Sequence, residues 1–259
     1  MIFKNIFKGI RAYGGTFKLI STLGLWKYFG VPVLISLLTA TSIGFAAWGL
    51  SDNIGGLIAK AWFWEWGSET FRSIGDFLGG LIVVAIGLVL YKHIIMALSA
   101  PFMSPVSEKI EAHLLGKEYV ASEFSFKSQL WRGIRINVRN LLMELLFTIP
   151  ILILSLIPIV NIITSIVLFL VQSYYAGFGN MDYTLERHYN YDTSVKFVRQ
   201  HSGYAIGNGI VFMLMLFIPV IGIILVLPLS VTAASRETIK LLQVNGTIRA
   251  SENLQKKII

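Results

Sequence analysis

The chain has 259 residues, 55% of them hydrophobic and only 14% charged, with a mean hydropathy of +0.69 and a formal net charge of +8. Such a balance describes an integral membrane protein and not a large soluble core. Cysteine is absent, which excludes disulfides, thiolate metal sites and a cysteine nucleophile.

The first 27 residues carry Lys4, Lys8, Arg11, Lys18 and Lys27 and no acid. Ile2, Phe3, Ile6, Phe7 and Ile10 alternate with three of these cations, so no uninterrupted apolar core of a cleavable signal forms. Their helical spacing predicts an amphipathic helix lying in the membrane interface over residues 1–27, with an unordered cytoplasmic arm as the alternative. Tyr28 to Ser51 is free of charge, and residues 28–50 are long enough to span; Pro32 falls in the first turn, where proline is tolerated.

Residues 52–76 reverse the charge balance, with Asp52, Glu65, Glu69 and Asp76 against Lys60 and Arg72. Trp62, Trp64 and Trp66 suit an aromatic belt, and the segment reads as external. A second span is expected over residues 77–107, interrupted only by Lys92 and His93. Lys92 and His93 either line a route for anions or lie snorkelled or buried against a neighbouring helix. The block from Glu108 to Glu144 has six basic and five acidic residues and reads as cytoplasmic. Within it Arg132, Arg135 and Arg139 share one helical face, a stripe suited to concentrating anions at a pore mouth or to meeting anionic lipid headgroups.

Two further charge-free stretches, Leu145 to Met181 and Ser202 to Ser235, are too long for one straight span. Each contains the repeat Ile-Pro-[Ile/Val]-[Val/Ile]-[Asn/Gly]-Ile-Ile, around Pro158 and Asn161 in the first and Pro219 and Gly222 in the second. Proline interrupts a helix and Asn or Gly supports reversal, so residues 145–181 and 202–235 read as helical hairpins. Arms of about 15–18 residues reach only ~22–27 Å, which predicts partial, re-entrant penetration from the cytoplasmic side; four full crossings are the alternative. Residues 243–259 read as a flexible cytoplasmic tail, which places both termini inside.

One segment carries a more specific message. Ala100-Pro101-Phe102-Met103-Ser104-Pro105-Val106-Ser107-Glu108-Lys109-Ile110-Glu111 resembles the Ala-Pro-Phe, Glu-Lys-Val-Glu signature of the CysZ bacterial sulfate permeases, within the wider etoposide-induced-protein domain family. Gly24-Leu25-Trp26-Lys27-Tyr28 ahead of Pro32, the Gly177 to Arg187 segment with Asp182 and Tyr183, a Gly207-Asn208-Gly209 turn, and Leu227-Pro228 with Val231 and Ala233 follow in the same order. The resemblance spans roughly residues 5–242 and implies a single all-α membrane domain over 1–242. Its implied architecture is two long transmembrane helices, two partly penetrating hairpins and interfacial helices, assembled as an oligomer in the bacterial inner membrane.

The same resemblance implies a permease or channel that admits sulfate for cysteine synthesis. In that family a Gly-Leu-Arg-Arg-Phe segment is implicated in sulfate binding. Here Gly24 and Leu25 are kept, Trp26 replaces the first arginine, Lys27 the second, and Tyr28 the aromatic. Thr184 and Asn208 stand where proline and phenylalanine are usual. Backbone N–H groups at a helix start with one cation nearby suit a dianion, and lysine supplies a point charge where arginine supplies a fork. Asp182 is read as a pairing, proton-linked or helix-capping acid. The competing reading is a structural or lipid-organising membrane protein.

An enzyme is not expected. His-Glu-x-x-His and Gly-x-Ser-x-Gly are missing, and His93, His113, His188 and His201 lack metal-ligand spacing. No phosphate-binding loop appears, no cofactor is implied, and nucleic acid is not needed to explain the basic excess.

Overall fold

A computed structural model describes residues 2–60, 68–121, 123–155, 157, 159–218 and 220–249. The expected Trp62–Trp66 belt, Pro158, Pro219 and the last ten residues of the tail lie outside the described residues. Of the described residues 85% are helical and none is in a strand, so their backbone donors and acceptors are satisfied locally. In lipid that is a requirement, since no water is present to pair with an open ladder.

Two short helices, α1 (Ile2–Arg11) and α2 (Thr16–Thr22), precede a 3₁₀ turn at Leu25–Tyr28. Then come α3 (Gly30–Ala59) and α4 (Ser68–Leu115), the latter an unbroken 48 residues, or ~72 Å. α5 (Phe126–Leu154) and α6 (Asn161–Leu185) form the first hairpin. α7 (Tyr191–Gln200) is amphipathic and short, and α8 (Ser202–Leu216) with α9 (Ile221–Val244) forms the second hairpin.

Among the described residues four helical segments are long and apolar enough to cross a membrane: Gly30–Gly56, Ile86–Leu115, Phe126–Leu154 and Asn161–Leu185. The first hairpin's arms exceed the expected 15–18 residues because both helices continue past the charge-free stretch into polar sequence. Asn161 and Gly222 are not at the reversal points. Asn161 opens α6 and Gly222 falls in the first turn of α9, so the chain turns just before each.

The C-terminal half of α4 forms the centre of the bundle. Ile95, Met96, Met103, Val106 and Ile110 are buried there against Phe212 of α8 and Val226, Leu227 and Val231 of α9. Its N-terminal half pairs mainly with α3, whose Leu34, Leu38, Phe45 and Trp48 are exposed. Ile149, Ile153, Ile159, Ile162 and Ile163 around the first hairpin turn are exposed too. Apolar surface on this scale has no favourable exposure to water and suits a lipid surround.

Gly207-Asn208-Gly209 is not a turn. It lies within α8, where close backbone approach explains the glycines. A Cβ on Gly207 would clash with the Ile6 carbonyl oxygen of α1, and one on Gly209 with the Ser173 carbonyl oxygen of α6. Glycine on two faces lets α8 slot between α1 and α6, the packing device of small residues in membranes.

Candidate functional site

The turn between α2 and α3 is built around Gly24, whose φ of 61° and ψ of 35° are left-handed. A glycine takes that conformation without steric cost. Leu25 then plunges into the core with no exposed surface, which fixes the turn against α4. Trp26 lies at the surface, its indole N–H donating to Ser21 Oγ at 3.1 Å and its ring packed edge-on against Phe17 and Phe29.

Lys27 is exposed, with its Nζ 5.4 Å from the Tyr28 ring centre. The same ring lies 5.9 Å from Nζ of Lys109, which also sits 4.2 Å over Tyr119. Neither lysine has an ion-pair partner among the described residues. The arrangement is a pair of cations around one aromatic ring, beside a backbone with open space over Gly24. Lys109 was not among the expected site residues; only its place in the Glu108-Lys109 signature pointed toward it.

The signature segment on α4 meets the end of α6 in a dense polar seam. Pro101 and Pro105 sit inside the helix and withhold two N–H groups from its ladder. The buried Tyr183 hydroxyl donates to the Met96 carbonyl at 2.6 Å. Ser104 donates to the Glu186 carboxylate, and Ser107 and Thr184 share a hydrogen bond of 2.7 Å. Arg187 donates to Glu111 at 2.7 Å and to Ser107 at 3.0 Å, while His188 Nε2 lies 3.0 Å from Glu111. Phe102 packs edge-on against Phe126, and Tyr119 donates to Glu108 at 3.4 Å. In α9, the Pro228 carbonyl accepts from Thr232 at 2.8 Å.

The three arginines of α5 part company. Arg132 forks onto Asp182 at 2.9 and 3.0 Å and also reaches the Tyr189 carbonyl and Ser194 Oγ. A paired, bidentate guanidinium of this kind ties α5 to α6 and α7 and is not open to a passing ion. Arg135 stacks 4.0 Å over Tyr191, and Arg139 sits 5.3 Å from the Phe178 ring centre and donates to Asn140. Beside Arg139 opens a cavity of about 510 Å³ between α5, α6 and the α7–α8 junction.

Lys92 is fully buried. It donates to Glu144 at 2.7 Å and to the Gln172 carbonyl at 3.3 Å, and His93 Nε2 lies 3.0 Å from the other oxygen of Glu144. Of the two expectations for Lys92, burial against a neighbouring helix describes its surroundings. Glu144 escaped the sequence reading, although it is the last acid before the charge-free stretch. No group of three His, Asp or Glu residues suited to a metal occurs among the described residues.

A family model described as "Sulfate transporter CysZ/Etoposide-induced protein 2.4" matches residues 12–226, and the chain belongs to that family. No curated protein matches it.

Proposed function

We propose that this family member is a permease or channel for inward movement of a small anion, sulfate above others, in a bacterial cytoplasmic membrane, where it supplies cysteine biosynthesis. Anion capture is assigned to Gly24, Leu25, Trp26 and Lys27. The observation that carries this reading is the unpaired Lys27–Lys109 couple around Tyr28, next to the left-handed backbone of Gly24. Two ammonium groups with no ion-pair partner among the described residues raise the local anion concentration, and N–H groups of the turn offer directed donors. Lys109 thereby supplies a second cation where Trp26 has displaced one.

The 1–242 domain is taken to place both termini in the cytoplasm, with residues 145–181 and 202–235 dipping into the bilayer and copies of the chain associating as a homo-oligomer. The basic residues near the N-terminus support that orientation, and the outward apolar face of α3 supports burial by lipid or another copy. With Arg132 and Lys92 committed to carboxylates and Arg139 facing the cavity between α5 and α6, Arg135 is the member of the arginine stripe left for a pathway.

Labelled sulfate flux into liposomes carrying the purified protein, set beside chloride and phosphate, tests the assignment. Flux above empty vesicles is expected, with Lys27→Ala lowering it by about tenfold, on the order of one lost charge-assisted contact. Flux equal to that of empty vesicles removes the permease reading. A lipid-organising role is favoured by the exposed Phe3 and Phe7 on α1, and it predicts no change in flux on replacing Lys27.

A further inference from the structure

We propose that the cavity between α5, α6 and the α7–α8 junction binds one anionic phospholipid, its phosphate held by Arg139 and Arg199 and an acyl chain lying along Met143, Phe147, Val167 and Val171. Both guanidinium groups line one cavity of about 510 Å³, and neither has a carboxylate partner among the described residues. In that respect they differ from Arg132 and Arg187, each of which is neutralised by an acid. Two cations facing the same space attract an anion, and guanidinium geometry suits a phosphate oxygen pair.

The walls are graded in polarity. Arg139, Met143 and Phe147 follow at four-residue intervals along α5 and so share a face. On α6, which runs the opposite way, Tyr174 stands level with the cationic end and Val167 with the apolar one. Arg199 and Ser202 close the polar end from the α7–α8 junction. From Arg139 to Phe147 the apolar wall descends ~12 Å toward the hairpin turn. A headgroup at one end and hydrocarbon at the other is the shape of a lipid, and a volume of this size lies in the range of ligand-binding cavities. A bare sulfate or phosphate would satisfy the arginines and leave the apolar wall uncovered.

Native mass spectrometry of the purified full-length protein, offered equimolar phosphatidylglycerol and phosphatidylcholine, provides the test. Preferential retention of phosphatidylglycerol is expected. R139Q/R199Q should lower the bound ratio of the two lipids by about tenfold. V171W, which fills the apolar wall and keeps both arginines, should expel the lipid. R199Q alone, at an exposed position on α7, provides the same reading if the double variant fails to fold. Millimolar sodium sulfate or phosphate should not displace the lipid. An unchanged ratio in the arginine variants, full retention in V171W, or displacement by either inorganic ion would overturn the proposal, the last by assigning the arginines to a free anion.

Discussion

Lys92 and Glu144 show how much depends on one buried pair. Both side chains are fully enclosed, so removing one partner leaves the other charged and desolvated. Glu144→Gln is expected to destabilise the protein by about 3 kcal/mol or more, whereas Lys92→Met combined with Glu144→Leu should recover most of the loss. Thermal unfolding in detergent reads both. Glu186 tests a different charge. Burial, reinforced by Asp182 and opposed by Ser104 and the nearby arginines, pushes its carboxyl up to about 7. A raised carboxyl favours the protonated form in the fold, so its stabilising contribution is complete below the usual carboxylate range and lost as pH rises through about 7. The melting temperature should therefore fall between pH 5 and pH 8, and Glu186→Gln should flatten that fall. Lys92 was visible in the sequence as an interruption in an apolar run. Its partner was not, because 52 positions separate them and only tertiary packing joins the pair.

At the scale of helices, α8 depends on two glycine faces. Gly209→Ala would push a methyl group into the Ser173 carbonyl, and we expect a loss of about 1–3 kcal/mol, seen as a lower melting temperature. The second hairpin holds an opposite opportunity. Val220 adopts φ 63° and ψ −63°, close to a strained γ-turn that a β-branched residue rarely enters. Val220→Gly should raise the melting temperature, since relief of about 1–3 kcal/mol of strain exceeds the added chain entropy. Helix positions were legible here because apolar runs and prolines mark them. The role of the Gly207-Asn208-Gly209 run was not, since glycine signals either reversal or close approach, and only the neighbouring backbones of Ile6 and Ser173 decide between the two.

For the molecule as a whole, the absence of cysteine allows single-cysteine labelling without background. A cysteine at Ile159, exposed at the first hairpin turn, should resist a membrane-impermeant thiol reagent added from the outer face if the hairpin is re-entrant. Modification from outside would instead support a complete crossing. All-helical architecture was readable from charge-free runs, and the Gly24–Lys27 turn from a short resemblance. Lys109 and Arg199 were obscured because their significance comes from having no ion-pair partner among the described residues, a property of the folded surface that composition averages away. α4 gives the assembly a mechanical character as well. It runs without a break from Ser68 to Leu115, carrying Lys92, Ser104 and Ser107 on its C-terminal half. A stiff rod anchored this way acts as a lever, so a tug on its Ser68 end arrives as torque on the seam with α6, some tens of ångströms away.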